Sequence, residues 1–175
     1  QPSTKKVFTF PNQTRTMKYA LVAVFLFMTH MGFAQSAGRI DRPAFYSALR
    51  QNKKQLIDKQ LELLNAAPAE IRQAFQGALM MRKAGLGGSP HQKLKLFREG
   101  HRELEAAIKR EPGNVEFRFL RLLIQENAPA ILKYRDNLQE DSKIIENSYQ
   151  TLPAEVQKQI ADYSKKSKVL KLQVS

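Results

Sequence analysis

The chain has 175 residues, which allows one domain with a tail. It contains no cysteine, so disulfides, thiolate catalysis and thiolate metal ligands are excluded. Its 29 lysines and arginines against 16 acids give a net charge of +13, which favours encounter with anionic partners.

Residues 17–34 have the order of features of a secretory signal peptide. Lys18 gives a short basic start, residues 20–28 form an apolar run, and Gly-Phe-Ala at 32–34 is a small-x-small cleavage pattern. The run is too short to cross a hydrocarbon core of ~30 Å comfortably, which argues against an uncleaved membrane anchor. We expect cleavage after Ala34 and export to the periplasm or the medium. The mature net charge would be +9, because residues 1–34 contain four cations and no acid.

The rest of the sequence divides into three parts. Residues 1–16 precede the first methionine and are expected to be an upstream, non-structural segment. Residues 35–165 are expected to form a single domain, which is large enough for a hydrophobic core. Residues 166–175 are rich in lysine, and we expect them to form a basic, flexible tail.

Two short helices are predicted at the start of the domain. From residue 40 onward the apolar residues recur three and four positions apart, and β-branched alternation is absent. Pro43 belongs to the first turn of the first helix, and the polar stretch 50–54 is expected to break it. A second helix follows over residues 56–64. The alternative is one continuous helix over residues 43–65.

The next two helices have clear terminal signals. Pro68 can open a third helix, and Gly85 can end it in the left-handed conformation that glycine adopts most easily. Ser89 and Gln92 have the spacing of a capping box at the start of a fourth helix.

Three more helices complete the domain. Asn114 is predicted to cap a fifth helix, which is apolar on most sides and should therefore be central. A long sixth helix is predicted over residues 131–152, and Pro153 starts the seventh. The sequence therefore predicts an all-α domain of about six or seven helices.

The sequence contains no recognisable catalytic or metal-binding pattern. The glycines before Ser89 lack the Lys-Ser/Thr pair of a Walker loop and the preceding strand of a dinucleotide site. His101 and Glu105 share a helix face, but zinc normally needs three protein ligands, so a solvated charged face is favoured. No nucleophile motif is present. We expect no enzymatic activity, no catalytic residue, no metal and no cofactor.

Arg118 and Arg121 are the candidate binding residues, because they lie in the most apolar helix of the domain. A buried guanidinium needs a carboxylate or carbonyl partner. Glu126, or an acid from the last helices, could form a structural ion pair with them, which is the favoured interpretation. The functional alternative places these arginines in a groove that binds a ligand carboxylate.

Residues 70–125 resemble a tetratricopeptide repeat, a pair of antiparallel helices followed by a proline before the next helix. Gly77, Gly100 and Ala107 match its small positions, and Leu104 matches its large apolar one. The stretch "EPGNVE" resembles the joint between repeats, with Pro112 as its proline. The match is degenerate, because about eleven extra residues separate the paired helices and Arg118 replaces the usual tryptophan.

The resemblance implies antiparallel helical hairpins, arranged as a tetratricopeptide-like stack or as an irregular bundle, and a role in binding proteins or peptides. The mature chain is also similar to small exported bacterial helical proteins of uncharacterised function, which imply no activity. The expected partner is another envelope or secreted protein. The alternative is a cationic envelope-associated protein that binds anionic lipid or polysaccharide. Nucleic acid is not expected, because no aromatic residues alternate with the lysines of the tail.

Overall fold

Seven α-helices and no strand make up residues 40–172, the part of the chain that the computed structural model describes. The helices are α1 (Arg42–Gln51), α2 (Lys54–Leu63), α3 (Ala69–Ala84), α4 (Pro90–Arg110), α5 (Val115–Asn127), α6 (Leu138–Ser148) and α7 (Ala154–Ser164). All seven belong to one compact unit. The predicted all-α class is confirmed. The predicted upstream segment 1–16 and signal peptide 17–34 lie outside the described residues.

The break between α1 and α2 occurs where the sequence predicts it. The Asp41 carboxylate caps α1 by accepting a hydrogen bond from the Ala44 amide at 3.0 Å. Asn52 ends the helix with a φ of 55°, in the left-handed region that asparagine tolerates better than most residues. The alternative of one continuous helix over residues 43–65 is therefore wrong.

The caps of α4 and α5 are confirmed. The Ser89 hydroxyl accepts from the Gln92 amide at 3.3 Å, and the Gln92 side chain accepts from the Ser89 amide at 2.9 Å. The Asn114 side chain accepts from the Phe117 amide at 3.3 Å. Gly85 ends α3 as predicted, but with a right-handed φ of −74°, because its amide closes a tight turn onto the Arg82 carbonyl. The prediction of a left-handed Gly85 is wrong.

The sixth helix is shorter than the predicted span of 131–152. It covers only Leu138–Ser148, between the 3₁₀ turns Ala130–Leu132 and Tyr149–Thr151. Lys133 has a φ of 47°, a left-handed conformation that an α-helix cannot contain, so the chain changes direction there. At the other end Leu152 is extended, as a residue before proline prefers.

The helices α3 and α4 pack as an antiparallel pair with their backbones in close approach at two glycines. A Cβ atom added to Gly77 would lie 2.6 Å from the Gly100 carbonyl oxygen, and one added to Gly100 would lie 2.6 Å from the Gly77 carbonyl oxygen. The Gln73 side chain, one turn before Gly77, donates to Glu103 at 2.8 Å. Only residues without a side chain permit this separation of the helix axes.

The central position of α5 is confirmed. It contacts α3, α4 and α6, and it contributes four apolar side chains that are at most 1% exposed: Phe117, Phe119, Leu120 and Leu122. The rings of Phe45 and Phe75 lie 4.5 Å apart, so the aromatic core also joins α1 to α3. Burial of these rings is the main favourable contribution to folding.

Residues 166–172 pack against the domain, although residues 166–175 are predicted to form a flexible tail; residues 173–175 lie outside the described residues. Leu170 is fully buried. The Glu126 carboxylate accepts from the Tyr163 hydroxyl at 2.9 Å and from the Ser167 hydroxyl at 2.7 Å. Burial alone would raise the pKa of Glu126, but the hydrogen bonds from Ser167, the Lys168 amide and Tyr163 outweigh burial and lower it. Residues 166–172 are thus part of the folded domain.

Substitution of Gly77 by alanine is expected to destabilise the domain by about 1–3 kcal/mol, because its methyl group would overlap backbone atoms of α4. The ~1 kcal/mol that alanine gains in a helix does not offset this. Chemical denaturation measures the free energy of unfolding. The matched control is Gly113→Ala, since a Cβ there meets nothing within 4 Å. Equal stability of the two variants would contradict the close approach.

Candidate functional site

The two arginines predicted as binding residues lie in an ion cluster between α4, α5 and α6. Arg121 is buried, and it donates to the two carboxylate oxygens of Asp141 at 2.7 and 2.8 Å. It also donates to Glu105 of α4 at 2.9 Å. Burial alone would lower the pKa of the guanidinium, but the hydrogen bonds and charges of these two acids raise it.

Arg118, one turn before Arg121 in α5, belongs to the same cluster. Its guanidinium donates to Asp141 at 3.0 Å and to the exposed Glu140 at 3.1 Å. A third hydrogen bond runs to the carbonyl of Pro112 in the loop before α5, at 2.9 Å. Arg118 therefore fixes that loop and α6 to α5.

Carboxylates of the chain itself therefore form ion pairs with both arginines, which the functional alternative assigns to a ligand carboxylate. Neither Arg118 nor Arg121 lines any of the three cavities described below. The functional alternative for these residues is not supported by the geometry, and the structural ion pair is what the contacts show. The partners are Asp141 and Glu105, not Glu126, because Glu126 holds the segment after α7.

The face of α4 with His101 and Glu105 also serves this cluster. The Tyr134 hydroxyl donates to Glu105 at 2.6 Å, and the His101 ring lies 4.6 Å from the Tyr134 ring. Glu105 thus pairs with other side chains while its own side chain stays 31% exposed, so the face is charged and partly solvated. In residues 40–172 no group of three His, Asp or Glu side chains has the arrangement of a metal site.

A groove of about 340 Å³ lies between the end of α3, the start of α4, the end of α5 and the turn Ala130–Leu132. We call it the apolar groove. Most of its lining is apolar and includes Met81, Ala84, Leu94, Phe97, Ile124 and Ile131. Its volume lies in the range of small-molecule and peptide sites. No acidic residue lines it within the described part of the chain.

The rim of the groove carries two large apolar side chains in contact with solvent. Ile131 is 88% exposed and Leu94 is 39% exposed. The local sequence explains both positions. Pro129 ends α5 and starts the 3₁₀ turn that projects Ile131, and the Ser89 cap starts α4 so that Leu94 follows one turn later.

A smaller cavity of about 70 Å³ adjoins the apolar groove, with Arg82, Ile124 and Asn127 lining both. We call it the cationic pocket, because Arg50 of α1, Arg82 of α3 and Lys166 after α7 line it and no acid of residues 40–172 does. Three separate segments of the fold bring these cations together.

Arg82 is the cation shared by the groove and the pocket. Its Nε donates to the Leu49 carbonyl at 2.9 Å, and within residues 40–172 it has no carboxylate partner. Burial lowers the pKa of its guanidinium, which indicates a charge that is partly removed from water without an acid to balance it. An anionic group of a ligand would supply that balance.

A third cavity, of about 390 Å³, lies on the opposite half of the α3–α4 pair and is polar. The polar groups that line this cavity form hydrogen bonds with one another. Arg110 donates to the Gln73 side chain at 2.5 Å and to the Glu70 carbonyl at 2.8 Å. Because Gln73 also donates to Glu103, this cavity offers a ligand less than the groove does.

The comparisons with known proteins add no family. No protein-family model, no curated protein and no solved structure matches the chain. None of the helices in the described residues has the length and apolar character needed to cross a membrane. Function must therefore be argued from the groove, the pocket and the ion cluster.

Sequence reasoning missed the groove residues, because the helical spacing of Leu94 and Ile131 to later apolar residues gives no sign that they border an open groove. A usable signal was the Ala128-Pro129 pair, which separates Ile131 from α5. The pocket cations gave no local signal, since Arg50, Arg82 and Lys166 come together only in the folded chain.

Substitution of Asp141 by asparagine is expected to destabilise the domain by about 3 kcal/mol, because it removes the one fully buried carboxylate that both arginines share. Arg121 would keep only Glu105, and Arg118 only the exposed Glu140. The measurement is the free energy of unfolding in urea. Glu140→Gln is the control: its side chain is 57% exposed, so the loss should be under about 1 kcal/mol. If Asp141→Asn were as mild as the control, the cluster would not be structural.

Proposed function

We propose that the protein is an exported, non-catalytic helical scaffold that binds an apolar segment of another envelope or secreted protein. The observation that carries this proposal is the apolar groove, with Ile131 88% exposed at its rim. Large apolar side chains held in solvent around a concave site are typical of surfaces that bind a partner.

The openness of the groove favours a helical segment as its occupant. An amphipathic helix would insert its apolar stripe between Leu94 and Ile131 and keep its polar face in water. Its backbone hydrogen bonds are internal, which suits a groove whose lining is mainly apolar. An extended peptide would bury backbone groups that this lining cannot satisfy.

The resemblance to a tetratricopeptide repeat supports the same role. The helices of that family touch at small residues, and α3 and α4 touch at Gly77 and Gly100. The extra residues between the paired helices, where the match departs from the family period, contribute Gly85 and Pro90 to the lining of the groove. The residues that break the family period therefore lie at the surface where we expect a partner to bind.

Export is the second part of the proposal and is supported by the signal-like order of residues 17–34. In cells that express the chain, the recovered protein is expected to begin at Gln35, as measured by mass spectrometry of its N-terminal peptide. Replacement of Ala34 by a bulky residue should block the cleavage. A chain recovered with residues 17–34 still attached would contradict this part.

Binding in the groove is tested with a helical peptide selected on the full chain from a display library. Ile131→Ser is expected to weaken the selected peptide about tenfold, because it removes one large apolar contact. Its stability should hardly change, since Ile131 is already exposed.

The matched control is Leu63→Ser, which removes another exposed apolar side chain, 55% exposed, that does not line the groove. Its affinity for the peptide should equal that of the unaltered chain. Affinity that survives Ile131→Ser would argue against the groove. Binding only to anionic lipid or polysaccharide, lost at moderate salt, would favour the alternative function.

A further inference from the structure

The cationic pocket lies at the end of the apolar groove, and the two share the Arg82 side chain. An occupant of the groove therefore meets a mainly apolar surface, which also includes the cation Lys93, and then the group of three cations in the adjoining pocket. This order of surfaces specifies the chemistry of the occupant more closely than the groove alone does.

The three cations of the pocket differ in how they are held, but none has a carboxylate partner in residues 40–172. Arg50 donates to the neutral side chain of Gln159 at 2.7 Å. Arg82 donates to a backbone carbonyl, and the Lys166 ammonium lies 5.5 Å from the centre of the Tyr163 ring. In the ion cluster, by contrast, each arginine has an acid within 3.1 Å.

The acids closest in sequence to the pocket are engaged elsewhere. Glu126 accepts from Tyr163, Ser167 and the Lys168 amide, and it does not line the pocket. Asp162 accepts from Lys165 at 3.0 Å on the exposed side of α7. The pKa of Asp162 is lowered mainly by the hydrogen bond from Lys165 and to a smaller extent by the charge of Arg50. Neither carboxylate lines the pocket, so within residues 40–172 no acid is paired with the cations that face it.

We propose that the segment bound in the apolar groove is an amphipathic helix with an Asp or Glu beside its apolar stripe, whose carboxylate binds between Arg50, Arg82 and Lys166. This inference rests on the proposed function. A volume of about 70 Å³ accommodates a side-chain carboxylate with a few waters. The open rim suits a helix that keeps one face in water better than it suits an acyl chain, which needs burial on all sides.

The test begins with a display library of helical peptides of about 15 residues, with leucines at i, i+3, i+4 and i+7 and all other positions random. Selection on the full chain is expected to enrich Asp or Glu at one fixed position beside the stripe. The selected peptide is then made in two forms, with that acid or with the corresponding amide.

The affinities of both peptide forms are measured for the unaltered chain and for Arg82→Gln. The acidic form should bind the unaltered chain about tenfold more tightly than the amide form, and Arg82→Gln should remove this preference. Arg102→Gln is the matched control, because Arg102 is exposed on α4 and lines neither cavity, and it should leave the preference intact. Lys166→Gln should likewise reduce the preference for the acidic peptide. Because Lys166 is exposed, this substitution should leave the folded structure unchanged.

Each outcome separates the two proposals. Equal affinity of both forms, with Ile131→Ser still weakening both, would overturn the carboxylate site and leave the docking groove standing. Affinities unaffected by Ile131→Ser would overturn the proposed function itself. If the library yields no binder while phosphatidylglycerol vesicles bind the chain and Arg82→Gln releases them, the occupant is a lipid, and both proposals fail.

Discussion

The contact between the backbones of α3 and α4 determines the shape of the rest of the domain. Gly77 and Gly100 let the two helices approach until a single methyl group would overlap carbonyl oxygen. This fixed point places the first half of α3 against the last half of α4, where polar side chains such as Gln73 and Glu103 hydrogen-bond to each other. The other ends of the same helices border the apolar groove, with Met81 and Ala84 on α3 and Leu94 and Phe97 on α4.

Charge is distributed unequally around this framework. Arg118 and Arg121 are neutralised by Asp141, Glu105 and Glu140, so they fix α6 and α4 to the central α5. Among the described residues, Arg82 has a hydrogen bond to the Leu49 carbonyl and no carboxylate partner. The same residue type thus stabilises the fold in one place and leaves a charge available in another, because an acid is present in only one of them.

Local chemistry explains which features of the fold the sequence predicts. The Ser89, Gln92 and Asn114 caps depend on residues within one turn, and they form as expected. Ile131 was placed on a continuous helix because its spacing to Tyr134 and Leu138 is helical, but the left-handed Lys133 breaks that register. The partners of the arginines and the lining of the groove come from distant segments, so no short pattern reveals them.

The proposed function places a partner helix in the groove between α3, α4 and α5. Methyl-detected NMR of the full chain, titrated with the selected helical peptide, can locate the binding surface. Chemical-shift changes are expected at the methyl groups of Leu94, Ile124 and Ile131, with the exposed Leu63 methyls unchanged. Changes centred on Leu63, or on the polar surface around Gln73 and Arg110, would contradict it.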